Sequence, residues 1–176
     1  AYDEAYYHFG SKTEIKNAIT KKNIIVMRTF SKAWGLPSIR LGFLITNKKL
    51  CEYISKCRSL VETNALSYQI AMWALSNKKI LNNHVSQIKS GSKFIHKNLK
   101  KLNISFRGGN VTNAVLIKLN SKKEAEDFRV HMRKKKIYIR GNFKEKIENY
   151  IRISLGPVNK MKIFIEAFDN WLKIRK

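Results

Sequence analysis

Acidic residues are scarce: 12 Asp and Glu stand against 36 Lys and Arg, a formal net charge of +24 in 176 residues. Such an imbalance raises the question of a nucleic-acid or acidic-surface partner. The distribution argues against nucleic acid, because most of the basic residues are lysines scattered along the whole chain. Base readers favour the planar fork of arginine, here the minority. The charge is read instead as lysine drift that still helps attract an anionic, phosphorylated ligand. Cysteine is nearly absent. Cys51 and Cys57 form neither a C-x-x-C pair nor part of a Cys/His cluster, which argues against a zinc or other metal site and predicts free thiols in a reducing cytoplasm. No apolar run approaches the ~20 residues of a membrane-spanning helix, and no signal peptide is expected. There are no internal repeats, and the one biased tract, Arg133-Lys134-Lys135-Lys136, reads as a solvated helix end. The chain does not begin with Met, and its first residues read as the end of a strand, so an upstream portion is expected.

What is present suffices for a globular core, since 44% of the residues are hydrophobic. Asn23-Ile24-Ile25-Val26-Met27-Arg28-Thr29 is a compact apolar run of the kind that forms a buried parallel strand, and Leu41-Gly42-Phe43-Leu44-Ile45 is a second. A short helix is predicted over residues 11–21, and helical pattern over 48–76 with a break at Glu62-Thr63-Asn64. A long helix follows from about Ile80 to Leu102, with Val85, Ile88, Phe94, Ile95 and Leu99 near one face. Arg107-Gly108-Gly109-Asn110 reads as a turn. Strands are predicted at 114–119, 137–140 and 150–155, and helices at 121–135 and 159–174. The pattern divides near 65–75 into a parallel α/β piece, residues 1–70, and an α+β unit, residues 71–176, with three strands and helices on one face.

Reactive side chains concentrate in Arg28-Thr29-Phe30-Ser31-Lys32-Ala33-Trp34-Gly35-Leu36-Pro37-Ser38-Ile39-Arg40-Leu41-Gly42-Phe43. A strand delivers two hydroxyls and a lysine into a loop, and an arginine follows eight positions later. Hydroxyls and a bidentate arginine can hold a phosphate, and the lysine can condense with an aldehyde. Upstream, Asp3-Glu4-Ala5-Tyr6 closes a strand with an acid able to pair with a protonated ring nitrogen and a tyrosine able to reach a ring hydroxyl. Singly these residues have ordinary readings: Lys32 as a solvated lysine, Asp3 as a strand-end cap, Arg40 as half of a surface ion pair.

Jointly the T-F-S-K-A-x-G-L-x-x-x-R-L-G-F run and the D-E-A-Y block resemble the fold-type-I aminotransferases, most closely the histidinol-phosphate aminotransferase branch, over nearly the whole chain. The resemblance implies an α/β fold, the C-terminal part of the large domain that binds pyridoxal 5'-phosphate, followed by the α+β C-terminal small domain. It implies that Asp3 pairs with the pyridinium nitrogen and Tyr6 hydrogen-bonds the phenolic oxygen. Lys32 would hold the cofactor covalently and then move the proton between substrate carbon and cofactor. Thr29, Ser31 and Arg40 would bind the cofactor phosphate, and Arg152 the substrate carboxylate. Arg140 would approach the distal anionic group of the substrate, against a reading as a structural strand-end arginine. Asn113 would contact substrate, against a reading as loop structure. Amino-acid and keto-acid substrates, a homodimer in the full-length protein and a cytoplasmic location are expected on the same basis. Where many relatives read P-Y-N-V-N, this chain reads Leu60-Val61-Glu62-Thr63-Asn64, which points to a substrate other than histidinol phosphate. The family's phosphate loop, ring-stacking aromatic and a cofactor-side asparagine belong upstream of Asp3. The chain by itself is therefore expected not to catalyse. Alternatives are a decarboxylase of a phosphorylated amino acid and a non-catalytic basic fragment.

Overall fold

The structure, a computed structural model, describes residues 1–59 and 62–175. The chain forms two compact units, Ala1–Val85 and Ser86–Lys176.

In the first unit a three-stranded sheet has the order β1 (Tyr2–Asp3), β2 (Val26–Thr29), β3 (Gly42–Ile45). β1 runs parallel to β2, pairing Tyr2 with Val26 and Asp3 with Met27. β3 runs antiparallel to β2, from Val26 opposite Ile45 to Thr29 opposite Gly42, which corrects the expectation of a second parallel strand. A parallel return needs a crossover of roughly a dozen or more residues, usually a helix. The link here, residues 30–41, reaches that length but carries no crossover helix, only a three-residue 3-10 turn, Pro37–Ile39, and the Phe30 N–H donates to the Leu41 carbonyl at 3.1 Å, so the chain folds straight back. Nor are these runs buried throughout: Met27, Phe43 and Leu44 are exposed. The unit also holds α1 (Ile15–Thr20), α2 (Lys48–Ser55), α3 (Ala65–Ser76) and the start of α4 (Lys78–Lys101). Asn47 and Asn64 cap α2 and α3, each side chain accepting an N–H from the third residue onward. Leu60 and Val61, the first part of the segment that departs from P-Y-N-V-N, lie outside the described residues.

In the second unit β4 (Phe106–Gly108), β5 (Ala114–Lys118) and β6 (Tyr150–Ser154) form an antiparallel sheet in that order. Strand alternation sends Val115, Ile117, Ile151 and Ile153 to one face, where all are buried. The same core holds Ile95 and Leu99 of α4, Phe128 and Met132 of α5 (Lys122–Lys134), and Phe168 and Trp171 of α6 (Val158–Ile174). The Phe128 ring lies 4.7 Å from both Phe168 and Trp171. Two strand expectations need correction. Arg107 and Gly108 belong to β4 rather than to a turn. Residues 137–139 form no strand, and only Arg140 bridges to β6, opposite Arg152. Lys136 and Asn142, at φ 58° and 55°, bend the chain on either side, so that it meets β6 at one point. Helix α4 and the turn before α6 touch backbone to backbone, because a Cβ on Gly91 would lie 1.8 Å from the Gly156 carbonyl oxygen.

Candidate active site

β1 and β2 are parallel and finish on the same edge of their sheet, the place where ligands bind in α/β folds. Asp3 is the last residue of β1 and Thr29 of β2. Paired residues share a face and neighbours alternate, so Asp3, Met27 and Thr29 lie on one face and Glu4 and Arg28 on the other. The Asp3 carboxylate accepts the Ala5 N–H at 2.9 Å, a local turn that leads into the 3-10 turn Tyr7–Phe9. This folds Tyr6 back toward the loop after β2, where the Lys32 Nζ stands 5.8 Å from the centre of its ring.

The loop itself is tightly specified. The Thr29 hydroxyl accepts the Ser31 N–H at 3.0 Å and lies 3.0 Å from the Ser31 hydroxyl and 3.3 Å from the Leu41 carbonyl. Arg40, next to Leu41, adopts the left-handed conformation at φ 52° and donates to the Pro37 carbonyl at 2.8 Å. Its side chain is exposed. Phe30, Ala33 and Trp34 are buried and anchor the loop on either side of Lys32. The Ala33 carbonyl lies 2.8 Å from the Nδ1 of His84, which must donate to it. The same imidazole packs on Gly35, whose φ of 69° suits a residue without a side chain. Thus Tyr6 meets Lys32, Thr29 meets Ser31, and Arg40 sits beside the carbonyl that Thr29 approaches.

On the opposite face lies a group that the sequence reading did not single out. The buried Glu4 carboxylate meets Arg28 at 2.9 Å, the Thr13 hydroxyl at 2.9 Å and the Glu14 N–H at 2.6 Å. Burial pushes this carboxyl up, but the hydrogen bonds from Glu14, Arg28 and Thr13, with the charge of Arg28, hold it below the usual carboxylate value. Both residues sit inside the quoted motifs, and the alternation of β1 and β2 would have paired them.

In the second unit, Arg140 and Arg152 exchange both backbone hydrogen bonds, at 3.0 and 2.7 Å. Such a pair brings its Cα atoms to ~5.5 Å and its side chains to one face, here the face opposite the buried Ile151 and Ile153. Asn113 precedes β5 and is fixed through its main chain, its carbonyl accepting the Leu155 N–H at 2.8 Å.

The family model for aminotransferase class I and II matches residues 2–168. A histidinol-phosphate aminotransferase of Hydrogenobaculum sp. (strain Y04AAS1) is 35% identical over 173 residues, covering 94% of this chain and 47% of that protein. A dihydroxyacetone phosphate transaminase of Campylobacter jejuni is 31% identical over 174 residues, covering 97% and 46%. Among solved structures, the histidinol-phosphate aminotransferase of Sinorhizobium meliloti in complex with pyridoxal-5'-phosphate superposes with a TM-score of 0.86 at 23% identity, over 99% of this chain and 48% of that one. The chain spans about half the length of the curated relatives it matches. With a family model matched almost from end to end and a shared fold, the chain belongs to the class I and II aminotransferases.

Proposed function

We propose that this chain carries the lysine-bearing half of an aminotransferase that uses pyridoxal 5'-phosphate to move an amino group between an amino acid and a keto acid or phosphorylated carbonyl compound. The observation that carries the reading is the meeting of Lys32 with Tyr6 at the edge where β1 and β2 end. The donor set there fits the cofactor: an amine for the aldehyde, the Asp3 carboxylate for the ring nitrogen, a phenol for the ring hydroxyl, and the Thr29–Ser31 hydroxyls with Arg40 for the phosphate.

When bound, the cofactor supplies an electron sink for charge that develops on the substrate carbon. The protein's part is to hold and to move protons. Asp3 keeps the ring nitrogen protonated, and Tyr6 orients the phenolic oxygen. When its amine is free, Lys32 would take a proton from the substrate carbon and return it on the other side of the transfer. Arg152 binds the substrate carboxylate, Arg140 a second anionic group, and Asn113 the substrate at the start of β5. The paired arginines favour a phosphorylated or dicarboxylic substrate, and the acid at Glu62 together with the loss of the P-Y-N-V-N run favours one other than histidinol phosphate. The full-length protein is proposed to act in the cytoplasm as a homodimer.

Borohydride reduction of the full-length protein loaded with pyridoxal phosphate should fix the cofactor on Lys32, read by peptide mass spectrometry. Lys32→Ala should abolish transamination with the circular dichroism spectrum unchanged. A label on any other lysine sinks the assignment. Highest turnover with histidinol phosphate in a substrate panel would refute the specificity, and release of carbon dioxide without amino transfer would favour a decarboxylase.

A further inference from the structure

The Glu4 and Arg28 side chains are nearly enclosed, 6% and 12% exposed, and are joined by two contacts, Nη2 and Nε to one carboxylate oxygen at 2.9 and 3.2 Å. Thr13 closes the cluster, its hydroxyl 2.9 Å from the carboxylate and 3.0 Å from the guanidinium. The guanidinium also lies 3.8 Å over the Tyr7 ring. Glu4, Tyr7 and Arg28 are thus each flanked by a site residue. Glu4 follows Asp3, Tyr7 follows Tyr6, and Arg28 precedes Thr29. Every one of these neighbours belongs to the candidate cofactor site, while the cluster faces away from it.

A buried ion pair is a poor source of stability, because desolvation offsets most of the attraction. What it supplies is geometry: two strands locked at one register, with a strong penalty for slipping. We propose that the Glu4–Arg28 pair is a positioning device that sets Asp3 and Tyr6 relative to Lys32, acting on the cofactor through these residues without touching it. The inference rests on the reading of Lys32 as the cofactor lysine.

The test uses the full-length protein and pyridoxal phosphate itself. Glu4→Gln, Arg28→Gln and the double variant are compared with wild type in three readouts: cofactor dissociation constant, the pH midpoint of the bound cofactor's absorbance band, and melting temperature. Each single change should weaken cofactor binding by about tenfold or more and move the midpoint by about half a pH unit or more. The double variant should be no worse than either single, since the pair acts as one unit. A lowered melting temperature with unmoved affinity and midpoint would mean that the pair is structural only, and overturns the proposal. Effects that simply add in the double variant overturn it too. Should Glu4→Gln not fold, Thr13→Val trims one hydroxyl from the same carboxylate; a smaller shift in the same direction supports the proposal, and an unmoved band defeats it. A wild-type protein without a Lys32-dependent absorbance band overturns the functional reading as well, a result distinct from a normal wild-type band with unmoved variants.

Discussion

Glu4 makes the first unit sensitive to acid. Its carboxyl titrates below the ordinary value of 4.5, because the hydrogen bonds to it and the charge of Arg28 outweigh the opposing effect of burial. A group depressed in the folded state contributes stability that is intact above its unfolded pKa and is lost as pH falls through the folded one. The melting temperature should therefore drop as pH falls below about 4.5, and Glu4→Gln should flatten that part of the profile in a series of thermal melts. His8 adds a similar slope at higher pH: burial first, then the nearby Arg28 charge, lowers its pKa from 6.5. On the proposed reading, two arginines divide the anion binding. Arg40→Ala should weaken cofactor affinity and spare substrate, and Arg152→Ala should do the reverse. A hydrogen bond to a charged group contributes about 1.5–3 kcal/mol, so each loss should read as ~10- to 150-fold in the affected constant. Equal loss of cofactor in both variants, with normal substrate binding, would remove this division of roles.

At the scale of elements, the close approach of α4 to the turn before α6 is the least forgiving contact. Gly91→Ala would drive a methyl group to 1.8 Å from the Gly156 oxygen, a backbone atom that cannot rotate away. The cost should reach the upper end of the overpacking range, about 3 kcal/mol, read as a lower urea midpoint at unchanged slope. The glycine was visible in the sequence; the neighbour that makes it necessary was not, because 65 positions separate the two. The same distinction runs through the fold. Helices α4, α5 and α6 could be read within a few residues, since a repeating apolar face is a local signal. So could β2, β5 and β6. The direction of β3 could not, because an apolar run looks the same in either polarity and the connecting loop decides. Residues 137–139 have strand composition, yet left-handed residues on both sides keep them from pairing. In the site, Tyr6 beside Lys32 was expected from the resemblance, whereas the Glu4–Arg28 pair and the His84 contact depend on partners 24 and 51 residues apart.

Across the whole molecule, the two units should behave differently when the 176-residue chain is made alone. The second has an enclosed core in which Phe128, Phe168, Val115, Ile117 and Ile151 are fully buried. The first carries exposed Met27, Phe43 and Leu44 on its sheet and Leu66, Tyr68 and Trp73 on α3, an arrangement that promotes association. Limited proteolysis should cut within residues 1–85 before it reaches 86–176. The chain alone should also hold pyridoxal phosphate weakly, since it spans about half of its relatives' length. Tight stoichiometric binding in a titration, with measurable amino transfer, would contradict this. Protection of the first unit ahead of the second would contradict the proteolysis order.

The pairing of Arg140 with Arg152 also bears on the choice of buffer. Two like charges held side by side repel one another, and among the described residues neither is engaged in a salt bridge. Any compact multivalent anion relieves that repulsion, whether or not it is a substrate. Sulfate, phosphate and citrate should act as decoys, raising the melting temperature and competing with substrate, while chloride at equal ionic strength does neither. Protein prepared in phosphate would then enter an assay with its arginines already occupied, and its apparent affinity would record an exchange of anions.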